Sequence, residues 1–291
     1  MSEPSWYELE YSPRLTVPEA PEYFRRWAQA AQVARDTLPH QRNLAYGDGP
    51  NETLDLFLAE NSRYLLVFIH GGYWRAFDKD DFSWLAPPLV ARSISLAVLN
   101  YALCPAVSIG QITEQCRRAV AWLYQAAPRY GLEGVPLLIS GHSAGGHLTA
   151  EMFATPWDRY SLPSEAIAGG ISISGLFDLE PLIQVSFNAD LRLDVESARA
   201  CSPVYKTPTL RAPLVLAVGA LESSEFHRQS HLLKAAWPEN CSEVRSVPGR
   251  HHFNVLDELA NPDSPVWASF IPDSVSSSPN GDELTRPKGV L

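Results

Sequence analysis

A serine between glycines, a pair of adjacent histidines and two acids lying between them are the residues of this chain whose types and order suggest chemistry. The run GHSAGG, Gly141 to Gly146, carries the pattern G-x-S-x-G at Gly141, Ser143 and Gly145. The pattern alone says little, because glycine and serine abound in turns. Its setting says more: it follows the apolar stretch VPLLIS and opens a stretch holding Leu148 and Phe153. Strand, sharp turn and helix in that order make a nucleophile elbow, which leaves the serine hydroxyl exposed above the sheet. The helix starting there offers free N–H groups and the positive end of a dipole. The competing reading is a surface serine in a structural turn.

A nucleophilic serine needs a base, an acid to orient the base, and donors for the developing oxyanion. HGGYW, His70 to Trp74, follows the apolar run YLLVFI, and its adjacent glycines let backbone amides approach a substrate oxygen. With the N–H of Ala144, one of Gly71, Gly72 or Tyr73 would complete an oxyanion hole. In this architecture the acid and then the histidine follow the serine along the chain. Five histidines lie downstream of Ser143. His147 sits one helical turn after the serine and reads as a packing or solvent-facing residue. His227 and His231 are spaced i, i+4, a metal-ligand spacing, but no H-E-x-x-H pattern or cysteine pair accompanies them. His251 and His252 follow the last expected strand, where the base belongs, and neighbouring side chains on an extended segment point opposite ways. For the acid, Glu222 in the turn after APLVLAVG is favoured, and Asp178 in SGLFDL is the rival, with capping of the following turn as its structural alternative. Tyr73, Trp74 and Phe177 adjoin the site in sequence and are candidate walls of an aryl pocket, or else core residues.

These residues need a scaffold, and the hydrophobic pattern describes one. Tyr23, Trp27, Ala30, Ala31, Ala34 and Leu38 recur at helical spacing, so a helix is expected over about residues 20–38. Strands are expected at Thr53 to Ala59, Tyr64 to His70, Ser93 to Tyr101, Val135 to Ser140, Ile167 to Gly175, Ala212 to Gly219 and about EVRSVPG. Helices are expected across Phe82 to Ala91, around Ile112 to Leu123, and at Gly145 to Phe153, Ser224 to Trp237 and Phe253 to Leu259. Alternation at this pace indicates an α/β fold with a mostly parallel central sheet flanked by helices on both faces. One domain is expected over residues 1–270, with a helical excursion at about 186–205. The Ser-, Pro- and Gly-rich stretch 271–291 reads as a disordered tail.

Bulk properties narrow the partners. The 291 residues are 45% hydrophobic and 19% charged, ordinary for a chain with a real core. A net charge of -10 argues against nucleic acid and anionic membranes. No apolar run approaches the roughly 20 residues of a membrane helix. Four scattered cysteines read as free thiols. No signal peptide is evident at MSEPSWYELEYSPR, so a cytoplasmic location is expected. The expected partner is a small-molecule substrate, with no metal and no cofactor; a homodimer is left open.

Taken together, HGGYW, NYALCP, GHSAGGHL, SGLFDLEPL, VGALESSEFHRQS and HHFNVLDEL resemble the kynurenine formamidases (arylformamidases) of the α/β-hydrolase fold. HGG and GHSAGG are shared with esterases and lipases; HGGYW with SGLFDLEPL and SEFHRQS points more narrowly. The resemblance spans about Leu44 to Ala260. It implies Ser143 as nucleophile, Glu222 as acid, and His252, directly before Phe253, as base. Such enzymes usually carry aspartate where Glu222 stands, one methylene shorter. The implied activity is cleavage of the N-formyl amide of an aryl formamide such as N-formyl-L-kynurenine, a step of tryptophan catabolism. A carboxylesterase using the same residues is the alternative, and a catalytically silent binding protein of this fold is a third reading. His251 is expected to project toward solvent or the pocket rim.

Overall fold

A computed structural model describes residues 4–271 of the chain. Three short apolar runs build its centre. Tyr64–Ile69 forms β3, Ile94–Leu99 forms β4 and Leu137–His142 forms β5, and nearly every residue in them is buried. Strands buried on both faces read as continuous apolar runs rather than alternating ones. The two faces remain distinct: Leu65, Val67 and Ile69 point into one core, Leu66 and Phe68 into the other.

In chain order the other regular elements are α1 (Trp6–Tyr11), α2 (Pro13–Thr16), α3 (Ala20–Thr37), β1 (His40–Ala45), β2 (Thr53–Phe57), α4 (Ala86–Val90) and α5 (Ile109–Ala126). Then come α6 (Ala144–Phe153), β6 (Ile167–Ile173), α7 (Asn188–Leu191), α8 (Val195–Ala200), β7 (Leu214–Gly219), α9 (Ser224–Ala236) and β8 (Val244–Val247). The strands make one eight-stranded sheet in the order β1-β2-β4-β3-β5-β6-β7-β8. β1 pairs antiparallel with β2 and β2 with β4; every other pairing is parallel. Helices α5, α6 and α9 cover one face, and α3, α4 and the chain after Phe253 cover the other. This is the doubly covered α/β sheet expected from the alternating pattern.

Several details differ from the expectation. β1, HQRNLA, is missing from it because an edge strand with mostly exposed polar side chains carries no apolar alternation. The stretch Phe82 to Ala91 is a short 3-10 turn followed by the five residues of α4 rather than one helix, consistent with two adjacent prolines at Pro87 and Pro88. Phe253 to Leu259 is also a 3-10 turn, Asn254–Glu258. The excursion at 186–205 holds α7 and α8. The stretch expected to be a disordered tail lies, but for Ile271, outside the described residues. Among the described residues no helix is long and apolar enough to cross a membrane. All four cysteines are free.

Register decides where function sits. Ile69 pairs with Leu99 and with Gly141, and His142 with Ile173, so β3, β5 and β6 end side by side. Gly219 at the end of β7 pairs with Val247 of β8. The loops leaving these carboxyl ends converge there, the usual ligand position in open α/β sheets.

Candidate active site

Ser143 occupies the single residue between β5 and α6, with φ 57° and ψ -118°. A non-glycine residue in this region stores about 1–3 kcal/mol of strain, and the surroundings hold it. Its N–H donates to the carbonyl of Ile173 at 2.8 Å. A Cβ on Gly145 would overlap the carbonyl oxygen of Ile69, so only glycine lets α6 start this close to β3. Ser143 is 3% exposed, and that surface faces a cavity it shares with His252.

Glu222 and His252 meet beside it. His252 Nδ1 lies 2.6 Å from Glu222 Oε2, and in the neutral imidazole a donation from Nδ1 to that carboxylate makes Nε2 the acceptor. Glu222 Oε1 accepts from the Ser174 hydroxyl and from the Gly219 N–H, each at 2.6 Å. The extra methylene relative to aspartate is absorbed by folding the side chain back over its own turn onto Gly219, three residues earlier. Asp178 is engaged elsewhere. It accepts from the Glu180 N–H at 3.2 Å and lies 3.7 Å from Arg228 on α9. The structure brings Glu222, not Asp178, to the histidine.

Two further side chains hold this arrangement, and sequence reasoning missed both. Ser174, at the end of β6, fixes the Glu222 carboxylate. His142, immediately before the serine, donates from Nε2 to the main-chain carbonyl of His252 at 2.7 Å, and the two rings stand 4.7 Å apart. Burial first, and then the neighbouring His252, push the His142 pKa well below the usual value, so it is a neutral donor. Position x of the G-x-S-x-G pattern was the available signal, but nothing local reveals a partner 110 residues away.

His251 is half-buried and does not line the main cavity. Its Nδ1 accepts from the N–H groups of Phe253 and Asn254 at 3.2 and 3.4 Å, and its Nε2 faces the Tyr23 hydroxyl at 3.2 Å. It caps the 254–258 turn and ties that turn to α3. His147 is fully buried, with Nε2 2.7 Å from the Cys201 carbonyl. On α9, His227 is half-buried and His231 exposed, and the described residues contain no group of three potential metal ligands.

Gly71, Gly72 and Tyr73 line the cavity beside Ser143. A Cβ on Gly71 would lie 2.6 Å from the His142 carbonyl oxygen and 3.1 Å from the Ser143 Cβ. His70, stacked 4.2 Å from Tyr101 and fully buried, donates from Nδ1 to the Gly71 carbonyl at 2.9 Å. The peptide is planar and trans, so fixing that carbonyl also fixes where the Gly72 N–H points. Ala144 is the first residue of α6, and its N–H has no acceptor within its own helix.

The cavity measures about 240 Å³ and its walls are aromatic: Tyr73 on one side, Phe24 and Trp27 of α3, Phe77, Phe187 and Phe253 around it. Two of the three expected wall residues are elsewhere. Trp74 and Phe177 are fully buried core residues that do not reach the cavity; Trp74 packs edge-on against His147 at 5.0 Å, and Phe177 packs beneath Gly175. Sequence neighbours of a site residue alternate direction, whereas α3 and Phe187 arrive by tertiary packing.

Sheet topology, elbow and converging loops define the chain as a hydrolase of the α/β-hydrolase fold. Its sequence matches the BD-FAE family model over residues 54–168. It is 31% identical over 246 residues to the kynurenine formamidase of Salmo salar, covering 81% of this chain and 82% of that protein. The kynurenine formamidase of Danio rerio is 29% identical over 270 residues, 87% of this chain and 90% of its own length. A solved structure of a presumed thioesterase from Silicibacter sp. TM1040 superposes with TM-score 0.80 at 36% identity, covering 89% of this chain and 97% of the other. The chain belongs to the kynurenine formamidase family.

Proposed function

We propose that the protein hydrolyses the N-formyl amide of an aryl formamide such as N-formyl-L-kynurenine, with Ser143, His252 and Glu222 as its catalytic triad. His252 Nε2 takes the hydroxyl proton as Ser143 Oγ attacks the formyl carbon. Backbone N–H groups of Ala144 and of Gly72 or Tyr73 receive the oxyanion; one such donor typically contributes about 3–4 kcal/mol to transition-state stabilisation. The tetrahedral intermediate collapses as His252 returns the proton to the leaving aryl amine. Water, deprotonated by His252, then attacks the formyl-serine and releases formate. Glu222 holds the imidazole in the required tautomer and stabilises its charged form.

The observation that carries this reading is the shape of the cavity above Ser143. At about 240 Å³ it is small beside the roughly 300–1,000 Å³ of drug-sized ligand sites, and aromatic rings line it. That suits one aryl group on the leaving side. Gly71 packs so close to the serine that a Cβ there would lie 3.1 Å from the Ser143 Cβ, which suits an acyl group as small as formyl. The test is a matched panel of aryl formamide, aryl acetamide and aryl acetate sharing one leaving-group ring. The formamide is expected to give the highest kcat/KM. An enzyme that cleaves the acetate faster than the formamide is an esterase, and the proposal falls.

A further inference from the structure

The mouth of this cavity carries a charge that the hydrolytic chemistry leaves unused. Arg14, on α2, lines the cavity together with Arg75, Phe24 and Phe187. Its guanidinium lies 4.8 Å over the Phe24 ring, a cation–π contact that holds the group in place without neutralising it. The acids nearby are committed. Asp190 pairs with Arg75 at 2.5 Å, and Glu8 accepts from the Ser186 N–H and the Ser12 hydroxyl. Among the described residues no carboxylate is within salt-bridge distance of Arg14, and the charge that acts on it is the like charge of Arg75.

Arg14 and Arg75 both line this opening, and of the two only Arg75 has a carboxylate partner among the described residues; Glu8 does not line the cavity, so the opening itself holds an unpaired guanidinium. Arg14 is solvent-exposed at this mouth, so its pull on an anion is strongest at low ionic strength. Guanidinium also matches carboxylate geometry, offering paired N–H donors. We propose that Arg14 binds a carboxylate on the leaving-group side of the substrate, so that the preferred substrates are aryl formamides carrying an anionic side arm. Ser143 attacks at the cavity floor while Arg14 holds the anion at its mouth. This subsite rests on the aryl-formamide reading for its substrate class, but not for its existence.

The test compares N-formyl-L-kynurenine with its carboxamide, which differs only in the charge of the arm. Wild-type enzyme should prefer the acid by kcat/KM, and Arg14→Gln should lower that preference about tenfold, chiefly through KM. Arg14→Lys, which restores the charge, should recover part of the preference. An unchanged preference in Arg14→Gln overturns the proposal, as does a wild-type enzyme indifferent to the charge. The pair 4-acetoxybenzoate and 4-acetoxybenzamide repeats the comparison on an ester. An enzyme that cleaves only the esters, yet loses its acid preference in Arg14→Gln, refutes the formamide reading and keeps the subsite. One that cleaves formamides without regard to charge does the reverse.

Discussion

Replacing Glu222 by glutamine keeps length and shape and changes the hydrogen-bond sense at a single atom. Oε1 now accepts from two donors, Ser174 and the Gly219 N–H, while Oε2 accepts from His252 Nδ1. In Glu222→Gln the amide oxygen has one place where it fits both donors, the Oε1 position. The NH2 group then faces Nδ1, forces that nitrogen to accept, and moves the imidazole proton to Nε2, where the base must be empty. In a Ser-His-Asp hydrolase the same acid-to-amide change lowers kcat about 10⁴-fold, or about 5.4 kcal/mol. The flipped amide restores the tautomer but sets its NH2 against the Gly219 N–H. The Ser174 hydroxyl can rotate to accept; a backbone N–H cannot. An unmatched buried donor costs about 1–3 kcal/mol, and the charge that stabilises the imidazolium is gone in either orientation. The expected loss in kcat/KM is therefore about 10²- to 10⁴-fold, with the melting temperature nearly unchanged. Steady-state formate release and a thermal melt on the same preparation check both halves. Activity within fivefold of wild type would refute this account of the acid.

Three other outcomes follow from the packing. Gly71→Ala places a methyl 2.6 Å from the His142 carbonyl and against Ser143, and should reduce kcat more than about 100-fold by displacing the loop that holds the oxyanion; a kcat within threefold would contradict the placement. Phe177→Ala should lower stability by about 3–5 kcal/mol in chemical denaturation without raising KM, whereas Phe187→Ala should raise KM with little effect on stability; the reverse pattern would put Phe177 back in the pocket. Burial lowers the His70 pKa to about 4, below its unfolded value of about 6.5. Its contribution to stability is complete above pH 6.5 and is lost as pH falls toward 4, because the unfolded chain takes up the proton first. Melting temperature should fall over that window, and less steeply in His70→Asn; parallel slopes would refute the assignment.

What the sequence revealed depended on how local each feature is. Ser143 is legible because its elbow is written in consecutive residues, a strand, two glycines and a helix start. Glu222 and His252 are legible as positions, each in the loop after a strand of a repeating α/β pattern. Their bonds to Ser174 and to the His142 ring are not, since those depend on β5, β6 and β7 lying side by side. The cavity walls were hardest. Phe24 and Trp27 belong to an amphipathic helix whose apolar spacing marks it as buried but does not say over what. Conversely, Trp74 and Phe177 border site residues in sequence and point into the core. The polar edge strand β1 and the short α1 and α2 carry too little apolar periodicity to be recognised, yet α2 brings Arg14 to the cavity mouth.

The central claim, a covalent acyl-enzyme on Ser143, is open to one direct measurement. A fluorophosphonate added to the folded protein should attach once, at Ser143, by peptide mass mapping, and abolish formamide hydrolysis in proportion to labelling; Ser143→Ala should neither label nor turn over. Labelling at another residue, or full hydrolysis by Ser143→Ala, would contradict the account.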